Sequence, residues 1–190
     1  GTFGDTGTIT MDIITDDQVA VTATVAQTIS FAITDNTIGF GNLTSANARF
    51  ATGDATGSDT DSAAAHNLTV GTNATTGYTV TYNGATLTSG GNTIDVASIT
   101  DDADGTAGTE QFAIAADKSG DATVASGYDH NSTPSNRDWN FVASTPTTIV
   151  SETVPTATET LGMFYLANIA ALTESGAYTT TITYNATANF

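Results

Sequence analysis

The sequence has no cysteine, only three prolines, and only three lysines or arginines against twenty acidic residues, for a formal net charge of −17 over 190 residues. Each shortage excludes something. Without cysteine there is no disulfide framework, and cysteine usage says nothing about compartment. Three cationic side chains cannot line a groove for phosphates, so nucleic acid is excluded as a partner, and anionic membrane surfaces are disfavoured for the same reason. No run approaches the ~18 apolar residues of a helical membrane span. Charged residues of either sign make up only 12% of the chain, so surface ion pairs cannot be its main polar resource.

Neutral, β-favouring residues fill the space. Threonine supplies about 40 positions, roughly three times the usual share, with Ala, Gly, Asn and Ser making up most of the rest. Thr is β-branched and suits strands, whereas Gly, Asn, Asp and Ser suit the turns between them. With 39% apolar residues, the chain can bury a core. These features predict an all-β protein, a two-sheet antiparallel sandwich of jelly-roll or immunoglobulin-like type, with long loops and an N-terminal extension strand.

Period-two alternation locates the strands. Ile9, Met11 and Ile13 alternate with polar residues until Asp16-Asp17. Val19, Val21, Ala23 and Val25 repeat the pattern, which resumes at Ile29, Phe31 and Ile33. Leu68 and Val70 precede Asn73 to Gly77, after which Tyr78, Val80 and Tyr82 alternate up to Asn83-Gly84, a type I′ turn signal. Short strands are expected on either side of Ser89 to Asn92. The segment 161–172 reads either as a helix or as a strand through Leu161, Met163 and Tyr165. Tyr178, Ile182 and Tyr184 open a regular last strand that ends at Phe190. The expected organisation is a candidate donor strand at 1–15 and one sandwich at 16–190, with a loop-rich insertion near 101–160.

Chemistry-bearing patterns are sparse. His66 and His130 belong to no nucleophile or zinc constellation and read as surface histidines. No G-x-S-x-G elbow occurs, so the chain reads as non-enzymatic. No cofactor is required. Calcium is the one ion its acidic loops suit, with Asp101, Asp102, Asp104 and Glu110 clustering oxygen ligands around Gly105, though out of EF-hand register. Asp54, Asp59 and Asp61 form a weaker cluster. Among five N-x-S/T sequons, Asn73 and Asn131 fall in expected loops and are the best placed for glycosylation. Lys118, the single lysine, sits in a solvated turn rather than beside a buried acid.

The segments ISFAITDNTIGFGNLTSANARFAT (29–52), NATTGYTVTYNGATLTSG (73–90) and SGAYTTTITYNATANF (175–190), in a Thr-rich and Lys-poor chain, resemble secreted prokaryotic surface β-sandwich proteins. The overall plan is similar to that of donor-strand filament subunits, such as archaeal bundling pili and TasA-like matrix fibres. Thr2-Phe3-Gly4-Asp5 resembles the start of mature TasA and camelysin chains. The resemblance implies an extracellular, cell-surface subunit that polymerises head to tail with copies of itself. Its donor strand would present Ile9, Met11 and Ile13 to an acceptor groove beside Tyr178, Ile182 and Tyr184. Gly at position 1 leads to the expectation of a processed, secreted chain. The alternatives are a monomeric adhesion or carbohydrate-binding module that uses exposed aromatics such as Trp139 and Tyr128 on a host surface or glycan, and a secreted hydrolase.

Overall fold

A computed structural model describes residues 1–11, 18–61, 63–130 and 133–190. The chain is an all-β sandwich. Its strands in order are β1 (Ile29–Ile33), β2 (Arg49–Phe50), β3 (His66–Thr72), β4 (Tyr78–Gly84), β5 (Thr88–Ser89), β6 (Asn92–Thr93), β7 (Ser98–Ile99), β8 (Gln111–Lys118), β9 (Thr123–Val124), β10 (Trp139–Asn140), β11 (Thr147–Glu152), β12 (Thr156–Asn168) and β13 (Ile182–Ala188). One sheet has the order β1-β3-β12-β8-β10-β7, with β2 also on β12, and the other has β13-β4-β11-β9. All pairings between these strands are antiparallel. No helix among the described residues is long and apolar enough to cross a membrane.

The alternating strands form the core as their pattern requires. Leu68 and Val70 of β3, Tyr78, Val80 and Tyr82 of β4, and Leu161, Met163 and Tyr165 of β12 are all buried between the sheets. Burying each large apolar side chain is worth about 1.5–3 kcal/mol, and the tyrosines retain partners for their hydroxyls. Tyr78 donates to Glu159 at 2.7 Å, and Tyr82 meets Tyr128 at 2.9 Å.

A second, smaller cluster covers the outer face of the larger sheet. Ala113 and Ala115 of β8, Phe164 and Leu166 of β12, Phe50, Ile99 and Trp139 pack there. Strands β8 and β12 are therefore buried on both faces, which replaces alternation with continuous apolar runs. Three expectations are corrected as a result. Segment 161–168 is the second half of a 13-residue strand with Leu161, Met163 and Tyr165 inward, as its strand reading has it, and not a helix. The region 101–160 is no appended insertion, because β8 and β11 within it are central strands of the two sheets. Asn83-Gly84 does not turn the chain, because both residues lie in β4 opposite Thr183 and Ile182. The tight turn lies at Gly90, with φ of +60° between β5 and β6.

The sandwich also begins later than position 16. Residues 18–28 form no strand and are exposed, so the alternation through Val19, Val21 and Val25 does not lead to pairing within the domain.

Candidate functional site

The first feature is a tail whose described large apolar side chains are bare. Val19, Val21 and Val25 are 86, 88 and 84% exposed, and Phe3, Ile9 and Met11 are equally bare. These six side chains leave roughly 9–18 kcal/mol of gross burial energy unrealised. Ile13, the third expected donor side chain, lies outside the described residues.

Asn73 holds the base of the tail. Its side-chain oxygen accepts from the Thr28 amide at 2.8 Å, its side-chain nitrogen donates to the Ala26 carbonyl at 2.7 Å, and its own amide donates to the Thr28 carbonyl at 3.4 Å. Residues 26–28 are thus kept in line with β1 as they pass the end of the sandwich. The amide nitrogen that a glycan would take at this sequon is already engaged with Ala26. Asn131, the other favoured sequon, lies outside the described residues.

The second feature is an open seam. Strands β1 and β13 are end strands of the two sheets, each paired on one side only among the described residues. Ile29 faces Thr72 across the β1–β3 ladder and Ala188 faces Tyr78 across the β13–β4 ladder, so Ile29 and Ala188 share the end of the sandwich that carries the 73–77 turn. Ile33 and Ile182 share the other end, and the two edge strands run in opposite directions beside each other.

At the Ile33 and Ile182 end the seam widens into a groove of about 1100 Å³ between loop 35–43 and segment 173–182. Ile33, Ile38, Phe40, Leu43, Leu87, Ile169 and Phe112 line it together with Tyr178, Ile182 and Tyr184, so the structure brings all three expected acceptor residues to one groove. Its polar floor was not foreseen. His66 Nε2 lies 2.7 Å from the Tyr165 hydroxyl, which lies 2.6 Å from that of Tyr184. His66 is 6% exposed, which corrects its reading as a surface residue. Burial lowers its pKa, against smaller opposing effects from the Asn67 backbone and Asp35. Burial pushes the hydroxyl pKa of both Tyr165 and Tyr184 up, so both stay protonated and keep a donor in this row.

The other expected sites are dispersed. Among the described residues no group of three His, Cys, Asp or Glu side chains is placed to hold a metal. Asp101, Asp102 and Asp104 belong to the loop that covers Trp139, whose indole donates to the Asp102 carbonyl at 3.2 Å. Burial raises the Asp104 pKa, and the neighbouring Asp102 adds to the effect. Glu110 points elsewhere and accepts from the Thr173 hydroxyl.

The acids of the 54–61 loop are engaged by protein partners, Asp54 and Asp59 locally and Asp61 at long range. Asp54 accepts from Thr52 and Thr56, Asp59 pairs with Arg49 at 2.7 Å, and Asp61 pairs with Arg137 at 2.7 Å and with His130 at 2.5 Å. His130 is buried as well and stacks flat on Phe164, so it too is not a surface histidine. Its partners are far apart in sequence, and no local motif could have announced them. Trp139 and Tyr128 are buried, which removes the exposed aromatic platform on which a carbohydrate-binding reading depends. Lys118 is exposed at the end of β8.

No protein-family model matches the chain, and no curated protein or solved structure is significantly similar to it.

Proposed function

We propose that this protein is a non-enzymatic structural subunit of an extracellular filament, of pilus or biofilm-matrix type, that polymerises by donor-strand complementation. The N-terminal tail of one copy lies in the seam of the next. One observation carries the reading: an alternating apolar tail whose described residues 1–11 and 18–25 form no strand occurs in the same chain as two sheet edges that are unpaired among the described residues, with a largely apolar groove at one end of them. Adding an extended segment to a free sheet edge supplies ladder hydrogen bonds, and pockets for alternate side chains supply specificity.

The groove's size and lining favour a polypeptide over a small ligand. Small-molecule sites are typically about 300–1,000 Å³ with a few convergent polar groups. This groove is at the upper end of that size, and at its floor His66 Nε2 and the Tyr165 and Tyr184 hydroxyls are engaged with one another. Head-to-tail exchange between identical subunits leaves a free donor at one end and a free acceptor at the other, and gives a filament where the rotation between neighbours does not close a ring. The scarcity of Lys and Arg, which leaves trypsin-like proteases few sites, and the hydroxyl-rich surface suit an extracellular location.

The test is deletion of residues 1–25, followed by electron microscopy and circular dichroism. The expected result is a folded subunit that no longer forms filaments. Assembly that persists after the deletion, or an intact protein that stays monomeric at every concentration, would refute the proposal.

A further inference from the structure

We infer that the strand the seam accepts is residues 19–25 of a second copy, running antiparallel to β13 and parallel to the acceptor's own β1. The inference rests on the filament reading above and specifies its joint.

The choice of segment follows from pattern and reach. Residues 18–25, QVAVTATV, present Val19, Val21, Ala23 and Val25 on one face and Gln18, Ala20, Thr22 and Thr24 on the other. Strand β13 has the same design, with Ile182, Tyr184, Ala186 and Ala188 turned inward and Thr183, Asn185 and Thr187 exposed. Val19–Val25 and Ile182–Ala188 are each seven residues long, so the donor matches the full free edge, with Val25 and Ala23 opposite Ile182 and Tyr184, the two β13 residues that line the groove, and Val21 and Val19 continuing along the edge beyond it. If the segment around Ile9 and Met11 were inserted instead, the three valines would stay in water within the linker.

The tail cannot easily fill its own seam. Residues 26–28 are held in line with β1 by Asn73, at the end of the sandwich opposite the groove. To return, the chain would have to reverse near Val25, and residues 18–28 contain no Gly, Pro, Asn or Asp to make a tight turn. The tail therefore continues outward to a neighbour.

The polarity follows from the same geometry. A neighbour related by translation and rotation about the β1 direction turns its groove mouth, at Ile33 and Ile182, toward the Asn73 end of the first subunit. The donor's C-terminal residue Val25 then lies at that mouth and Val19 lies deeper, toward Ala188. Chain direction in the acceptor is opposite to β13, so the donor extends the antiparallel sheet β13-β4-β11-β9 by one strand.

Because the chain has no cysteine, introduced pairs report this arrangement without background. Thr24→Cys and Ala20→Cys are each combined with Thr183→Cys or Thr187→Cys, all on outward-facing positions. Filaments are oxidised and run on a denaturing, non-reducing gel. The expected result is a ladder of covalent oligomers for Thr24 with Thr183 and for Ala20 with Thr187, and its loss for the exchanged pairs. Ladders from the exchanged pairs would overturn the polarity, and a ladder from Thr10→Cys with Thr183→Cys, Thr10 being on the face opposite Ile9 and Met11, but none from the Ala20 or Thr24 variants would overturn the choice of segment. Both of those outcomes leave the filament reading standing. Crosslinks confined to single chains, with no filaments in the unsubstituted protein, would overturn both.

Discussion

His66 combines a packing role with a titration. It is buried at the groove floor, where its Nε2 meets the Tyr165 hydroxyl, and its pKa is lowered by desolvation. In the unfolded chain the imidazole titrates near its ordinary value, about 6.5. Between that value and the lower folded one, the unfolded state binds more protons, so stability falls as pH falls through this window and is fully present above it. Thermal melts between pH 7.5 and pH 5 are expected to show a falling Tm in the natural protein. A flatter profile is expected in His66→Gln, which retains polar atoms without the titration. A profile that His66→Gln leaves unchanged would assign the acid sensitivity to another group. Tyr165 links His66 to Tyr184, so changes at any one of the three are expected to be non-additive with changes at the others.

At the scale of elements, legibility in the sequence followed one-sidedness of burial. Strands β3, β4 and β13 each have one face on the core and one on solvent, and their alternation located them. Strands β8 and β12 have Ala113, Ala115, Phe164 and Leu166 on the face away from the sandwich core, and that second layer removed the period that would have marked them. Asn83-Gly84 misled for a related reason: cross-strand pairing with Thr183 and Ile182 overrides a strong local turn preference. The inward alternation of Ile182 and Tyr184 was legible because β13 is a regular edge strand, whereas His66 and the Asp61–His130–Arg137 group depend on contacts between distant parts of the chain. The outer layer is expected to matter for folding and not for the seam. Phe164→Ala should cost about 3–5 kcal/mol in denaturant unfolding, followed by the fluorescence of Trp139, the only tryptophan, which packs in the same cluster. A loss below about 1 kcal/mol would show that the layer contributes little.

For the whole molecule, the decisive quantity is the charge of −17. Two of the three cationic residues are already committed within the subunit, Arg49 to Asp59 and Arg137 to Asp61, so little positive charge remains to offset repulsion between stacked copies. Added salt should therefore promote assembly. At 0.1 M the Debye length is about 10 Å, and light scattering is expected to rise faster between 10 mM and 200 mM NaCl. A decline with salt would instead indicate a joint made by ion pairs. The clasp at Asn73 has a mechanical consequence as well. Because the tail is covalently continuous with β1, tension along such a filament passes from the donor ladder through peptide bonds into the ladder of Ile29–Ile33 on β3. In the proposed filament those short ladders would lie along the pulling direction and be loaded in shear, with their hydrogen bonds sharing the force, so its rupture strength would depend on backbone pairing more than on the side-chain contacts between subunits.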